Sequence, residues 1–346
     1  MNELVDSKEK LRTIVGIAFI VFIFGWIIWS KIELVISPVP EKGVDYSQYQ
    51  WYLVPIMYVI DYFKHAGVSL TFAFLLSGII QEFVPQNLIF KYLGPGKIRN
   101  YFIAALLAPV FITCSCSVIP VYAGILMAGA GAGVAMTFLL MAPAANFLTL
   151  WITGDYVGWD LVALRYIFSF IAAIICGLIY AKTKMAREIE KKYEGVRVGK
   201  VQGTLVDNDI HERILGSYKY TWQMVKAILP YLLLGLIIVS YIAAYLPDEL
   251  IAPFLTGYTG LFIGALVGGP LYTPTLVEVV LTKSLLEKGM SRSTALSFMM
   301  GQPYDVVSMV PNSRFFKWKG VGIYFIIFFL FSVISGLLYG IFLGEL

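Results

Sequence analysis

The chain has 346 residues, of which 59% are apolar and 14% charged, against about 25% charged in an ordinary soluble domain, and this excludes a soluble globule. Twenty-six Lys and Arg against 22 Asp and Glu leave a net charge of +4, too small and too dispersed for a nucleic-acid surface. Three Cys and two His exclude a disulfide scaffold and a zinc site of the usual four-ligand kind. What remains is an all-α, polytopic transmembrane bundle whose partners are the lipid bilayer and a small-molecule or ion substrate, with no cofactor implied.

Windows of about 20 apolar residues, the length that spans a bilayer as a helix, mark the elements in chain order. The first covers residues 11–30. Its flank of Lys8, Lys10 and Arg12 resembles a signal-peptide start, but the run is long and no small-residue cleavage site follows, so a retained helix is expected. Residues 31–65 contain Pro38, Pro40, Gly43 and an aromatic stretch over 49–63, and read as an interfacial segment. Further spans are predicted over 66–84, 99–113, 134–152, 161–181, 224–246, 258–272, 294–310 and 320–343. Between them, residues 182–219 carry nine Lys or Arg against six acids, the pattern of a cytoplasmic linker. Four regions follow: 1–65, a first repeat at 66–181, the linker at 182–221 and a second repeat at 222–346.

The halves on either side of the linker are alike. Sliding residues 102–148 by 160 positions gives ten identities, among them Thr113/Thr273, Gly129/Gly289 and Pro143/Pro303. Duplicated halves are a common construction of secondary transporters. If the clusters at 8–12, 91–99, the linker and 314–319 are all cytoplasmic, and the Lys- and Arg-free acidic loops at 155–160 and 247–257 are outside, the repeats are inverted. Each then needs an extra crossing or a re-entrant hairpin, in 114–133 and 274–293. That rule does not settle Lys283, Lys288 and Arg292, and parallel four-helix halves are the alternative.

Chemistry-bearing residues concentrate where helices break. The first half reads Pro109 through Thr113, Cys114, Ser115, Cys116 and Ser117 to Pro120. The two proline rings prevent a regular helix there, and hydroxyls and freed backbone groups become available to a substrate. Two thiols at i and i+2 do not share a helix face, yet in an unwound segment both can turn to one soft ion. The alternative is that they pack as small apolar residues, the expected role of Cys176.

Thr-Cys-Ser-Cys-Ser-Val-Ile-Pro at 113–120 and Met-Ala-Pro-Ala-Ala-Asn at 141–146 resemble the predicted permease family that includes the organoarsenical efflux permease ArsP and copper/zinc effluxers. The resemblance covers roughly 66–343 and implies a membrane carrier without an ATPase domain. The family commonly has Gly where this chain has Ser117.

The second half supplies Thr273, Pro274 and Thr275 at its break, then Glu278, and then Gln302-Pro-Tyr-Asp305. Acids in apolar spans mark ion or proton paths. Asp305 reads as a coupling carboxylate or as a partner of Arg314; Glu278 as a second coupling group or a partner of Lys283; Asn146 as a ligand-facing amide or as glue between helices. No phosphate-cradling loop and no His-Glu-x-x-His pair occurs, so an enzyme is not expected. The chain reads as a multi-pass permease of the cytoplasmic membrane, exporting a soft metal ion or trivalent organoarsenical and conferring metal or metalloid resistance. Cys114 and Cys116 would be its metal ligands, and Thr113, Ser117, Asn146, Thr273, Thr275 and Gln302 its other substrate contacts. The alternative is a permease or channel for a harder ion or organic solute, with the Cys pair structural.

Overall fold

The computed structural model describes residues 48–83, 91–110, 115, 117–192, 210–245, 255–269 and 275–343; the helix expected at 11–30 lies outside them. Its helices include, in chain order, α1 Val54–Phe83, α2 Ile98–Leu107 with a 3-10 turn Ala108–Val110, α3 Val118–Met127, α4 Ala132–Ala144, α5 Phe147–Tyr156, α6 Trp159–Ala181, α7 Ile210–Tyr245, α8 Gly257–Gly268, α9 Thr275–Glu287, α10 Arg292–Met299, and α11 Val306–Leu343 after a 3-10 turn Gln302–Tyr304. Among the described residues there is no strand, as an all-α bundle requires.

Two expected boundaries move. Helix α1 starts at Val54 and runs across the division drawn at 65/66, because Val54, Tyr58 and Tyr62 are buried at i, i+4 and i+8, an apolar stripe that average hydropathy hides behind Asp61 and Lys64. Helix α7 starts at Ile210, inside the linker, for the same reason: Ile214, Ser217, Tyr220 and Met224 form its buried stripe. The two helices pack against each other, and the Thr221 hydroxyl donates to the Phe74 carbonyl at 3.2 Å.

The span expected at 134–152 is two helices. Pro143 sits in the last turn of α4, Ala145 leaves the helical region (φ −148°, ψ 44°), and Asn146 restarts the chain as the N-cap of α5, accepting from the Thr149 N–H at 2.8 Å. The span at 294–310 breaks the same way. Pro303 lies in the 3-10 turn, and Asp305 caps α11 by accepting from the Ser308 N–H at 2.7 Å. Short polar side chains do this because the first N–H groups of a helix lack intrahelical partners.

Helix α11 is itself a hairpin. Lys317 has φ 59° and ψ 159°, and the arms 306–316 and 318–343 run antiparallel. The Asn312 amide donates to the Tyr324 hydroxyl at 3.3 Å, and the hydroxyls of Tyr304 and Ser332 lie 3.2 Å apart.

Helix α6 rises about 33 Å over its 23 residues and defines two ends of the bundle. At the linker end, Tyr180 donates to the Phe316 carbonyl at 3.3 Å and Lys317 meets Glu188 at 2.6 Å. At the far end, Asp160 holds Arg292 at 2.8 Å and accepts from the Tyr339 hydroxyl. The α3–α4 turn is at the linker end: Gly129 has φ 106°, the Gly131 N–H donates to Leu93 O at 2.9 Å, and the Ala132 N–H to Glu190 at 2.8 Å. The α9–α10 turn is at the far end: Gly289 has φ 102°, and the Ser291 N–H donates to Leu255 O at 3.2 Å.

The core lies around α4, every residue of which is buried. Gly133 and Gly177 let α4 and α6 touch backbone to backbone: a Cβ added to Gly133 would lie 2.4 Å from Gly177 O. Small residues at such crossings are how helices associate without a hydrophobic driving force.

Candidate functional site

Helices α2 and α3 both have their outer ends at the linker end, and each has ten residues, so each reaches inward about 15 Å. The pair enters and leaves on one side, and its arms end near the middle of a hydrocarbon layer of roughly 30 Å. Thr113, Cys114 and Cys116 fall in the connection and lie outside the described residues; their described neighbours Ser115 and Ser117 are buried. Helices α8 and α9 do the same from the far end. Thr273 lies outside the described residues, and of Thr275 only its place as the first residue of α9 is described. The inner end of α8 seats against the α10–α11 break, where the Tyr304 hydroxyl donates to the Ala265 carbonyl at 2.7 Å.

The two breaks are buried. Asn146 receives both the N–H and the hydroxyl of Thr149 at 2.8 Å, so its amide oxygen serves its own helix. Gln302 is buried in the 3-10 turn, which packs against α4. Asp305 is 3% exposed and caps the N-terminus of α11 through the Ser308 N–H. Its Ser308 contact replaces the ion pair with Arg314 that was the alternative, since Arg314 is an exposed residue near the turn of the α11 hairpin.

The structure adds a residue that the sequence reading passed over. Arg165, six positions into α6, is 0% exposed. Its Nη2 meets Glu278 of α9 at 3.1 Å and its Nε donates to the Ala144 carbonyl at 2.8 Å, a carbonyl in the last turn of α4, where α4 stops. Glu278 is 1% exposed, so its partner is Arg165 and not Lys283, whose ammonium lies over the Tyr156 ring at 5.1 Å. One turn along α6, the Ser169 hydroxyl contacts Met300 sulfur at 3.2 Å. Arg165 and Ser169 thus present one face of α6 to α9 and to the end of α10. The signal was available: an Arg inside an apolar span is expensive and marks a functional site.

Taking an ion from water into a protein interior costs several kcal/mol even after relaxation. The Arg165–Glu278 pair therefore joins the two halves of the chain by opposite charges that neither helix could bury alone. Among the described residues no group of three or more His, Cys, Asp or Glu forms a metal cluster. Cys176 is buried, its Sγ 3.8 Å from Met136 sulfur, a packing position.

Four described helical segments are long and apolar enough to cross a membrane. The family described as a predicted permease, ArsP_1, matches residues 59–341. UPF0718 protein MJ0584 of Methanocaldococcus jannaschii is 26% identical over 84% of this chain and 96% of its own length. UPF0718 protein YraQ of Escherichia coli is 21% identical over 71% of this chain and 69% of its own, and UPF0718 protein YcgR of Bacillus subtilis is 25% identical over 49% and 57%. No solved structure matches. With the match extending from α1 into the last arm of α11, this multi-pass helical membrane protein belongs to the ArsP_1 family of predicted permeases.

Proposed function

We propose that the chain is a secondary-active carrier of the cytoplasmic membrane, built from two inverted repeats, that exports a soft metal ion or a trivalent organoarsenical. The observation that supports it best is the correspondence of the halves. Gly129 and Gly289 turn with φ 106° and 102°, Gly158 and Lys317 with φ 145° and 59°, and Asn146 and Asp305 each cap the next helix. The matched turns at Gly129 and Gly289 lie at opposite ends of the bundle. A re-entrant hairpin from each side is the construction in which half-helix ends meet a substrate near the midplane.

In this reading Cys114 and Cys116 take the soft cargo, since thiolates select Cu(I), Zn(II) and trivalent arsenic over hard ions. Thr113, Ser117, Asn146, Thr273, Thr275 and Gln302 complete the surroundings, and Glu278 and Asp305 carry the coupling. In this reading the chemistry is binding and release. Accumulation of Cu(I), Zn(II), arsenite and methylarsenite in everted vesicles, with and without a proton gradient, tests the reading. Gradient-driven, saturable accumulation of at least one is expected, and Cys114→Ser with Cys116→Ser should lower it by at least about tenfold. Equal flux in the double serine variant would leave the thiols as packing.

A further inference from the structure

Arg165 has more donors than its surroundings use. A guanidinium carries five N–H groups and stays charged at any physiological pH. Here Nε is taken by Ala144 O and Nη2 alone by the carboxylate, at 3.1 and 3.4 Å to its two oxygens. Nη1 is buried and has no hydrogen-bond partner among the described residues. A structural ion pair of this kind usually closes as a fork, with two nitrogens on two oxygens. This one is held by a single nitrogen, with half of the fork left over. Helix α5, which packs against both α6 and α9, adds the buried Thr153 hydroxyl, also without a hydrogen-bond partner among the described residues.

We propose that Arg165 is an anion-binding residue of the transport site and that Glu278 is its exchangeable counter-ion. The proposal rests on the carrier reading above and adds a substrate class: a cargo with a negatively charged group. With the site empty, Arg165 and Glu278 neutralise each other. When the anion takes the guanidinium, Glu278 is released and takes one proton from water to become a neutral acid. Both states have zero net charge, which avoids the several kcal/mol that an uncompensated buried ion would cost. The remaining charged groups on the surrounding helices do not interfere with the exchange. Lys283 lies over Tyr156, Arg292 of α10 is held by Asp160 at the far end, and Asp155 of α5 is exposed. A cation at this depth also explains why Ala144 O, at the end of a helix stopped by Pro143, needs no water: the guanidinium satisfies it.

Three probes separate the contributions: phenylarsine oxide, its 4-carboxy derivative, and benzoate. Their binding to the purified full chain carrying Cys176→Ala is measured by calorimetry in two buffers of different ionisation enthalpy, which also counts protons. The 4-carboxy compound should bind at least about tenfold more tightly than phenylarsine oxide, with uptake of about one proton. Glu278→Gln should keep that preference and lose the proton uptake. Arg165→Gln combined with Glu278→Gln, which leaves no unpaired buried charge and so remains foldable, should abolish the preference and the binding of benzoate. Equal affinity of the two arsenicals in the parent, or a preference that survives the double variant, would overturn the assignment. Unchanged phenylarsine oxide binding after Cys114→Ser and Cys116→Ser would instead sink the soft-cargo reading, while the carboxylate preference still judges Arg165.

Discussion

Of the ion pairs among the described residues, two lie at different depths and do different things. The Arg165–Glu278 pair has side chains 0% and 2% exposed, whereas Arg292 and Asp160 at the far end are 36% and 42% exposed. Water screens the second pair and competes for it, so it fixes the place of a turn at small energetic weight. The first pair has no water to fall back on, so breaking it leaves a charge with no compensation. Depth turns a similar contact from a surface tie into a constraint on which states the molecule can adopt.

The largest effect that can test this contrast is expected from Arg165→Met, which strands Glu278. A loss of about 3–5 kcal/mol is expected, read as a lower melting temperature in detergent, and Arg165→Met with Glu278→Leu should recover most of it. If the single variant melts with the parent, the deep pair is no more than a surface tie. Asp305→Asn sharpens the comparison by changing charge without changing the cap. Asn caps a helix about as well as Asp, so stability should move by less than about 0.5 kcal/mol while proton-driven transport is lost; retained gradient-driven flux would reduce Asp305 to a cap. At the rim, Asp160→Asn should cost about 0.2–1 kcal/mol, and the loss should shrink in high salt.

The smallest effect belongs to Glu188 at the linker end. Its hydrogen bond from Lys317, and then the charge of that ammonium, hold its carboxyl below the ordinary carboxylate value. A carboxylate whose pKa is lower in the folded chain adds its stabilisation above the unfolded value and loses it as pH falls through the folded one. A spin-label pair across 188 and 317 neighbours should therefore keep its distance at neutral pH and separate only as pH falls below the ordinary carboxylate range. Separation at neutral pH would remove the contact.

Much of the architecture was legible because membrane helices announce themselves by length and by what they exclude. Pro143 and Pro303, whose backbone restrictions do not depend on context, lie where the spans expected at 134–152 and 294–310 stop being single helices. The starts of α1 and α7 were not legible, since Asp61 and Lys64 in the one and the charged linker before the other lower the average hydropathy of stretches whose buried stripes show only on packing. The partner of Glu278 was hidden for a related reason. Lys283 is near in sequence and Arg165 is 113 positions away, and only the meeting of α6 with α9 decides between them. The turn between the spans expected at 294–310 and 320–343 was legible as a basic loop, whereas its placement at Lys317, with φ 59°, was not, since a residue with a Cβ rarely adopts that conformation.

The contact of Gly133 with Gly177 has a consequence for the route a solute can take. Where two backbones meet with no side chain between them, nothing as wide as a hydrated ion or an arsenical can pass, and the seam between α4 and α6 is closed along its linker-side half. Helices α8 and α10 are closed alike, since a Cβ on Gly268 would lie 2.2 Å from Phe298 O. Both seams join helices of the same half. In the carrier proposed above, these two seams are closed to a solute, and the boundary between halves, where α5 meets α9 and the 3-10 turn meets α4, is the route we propose.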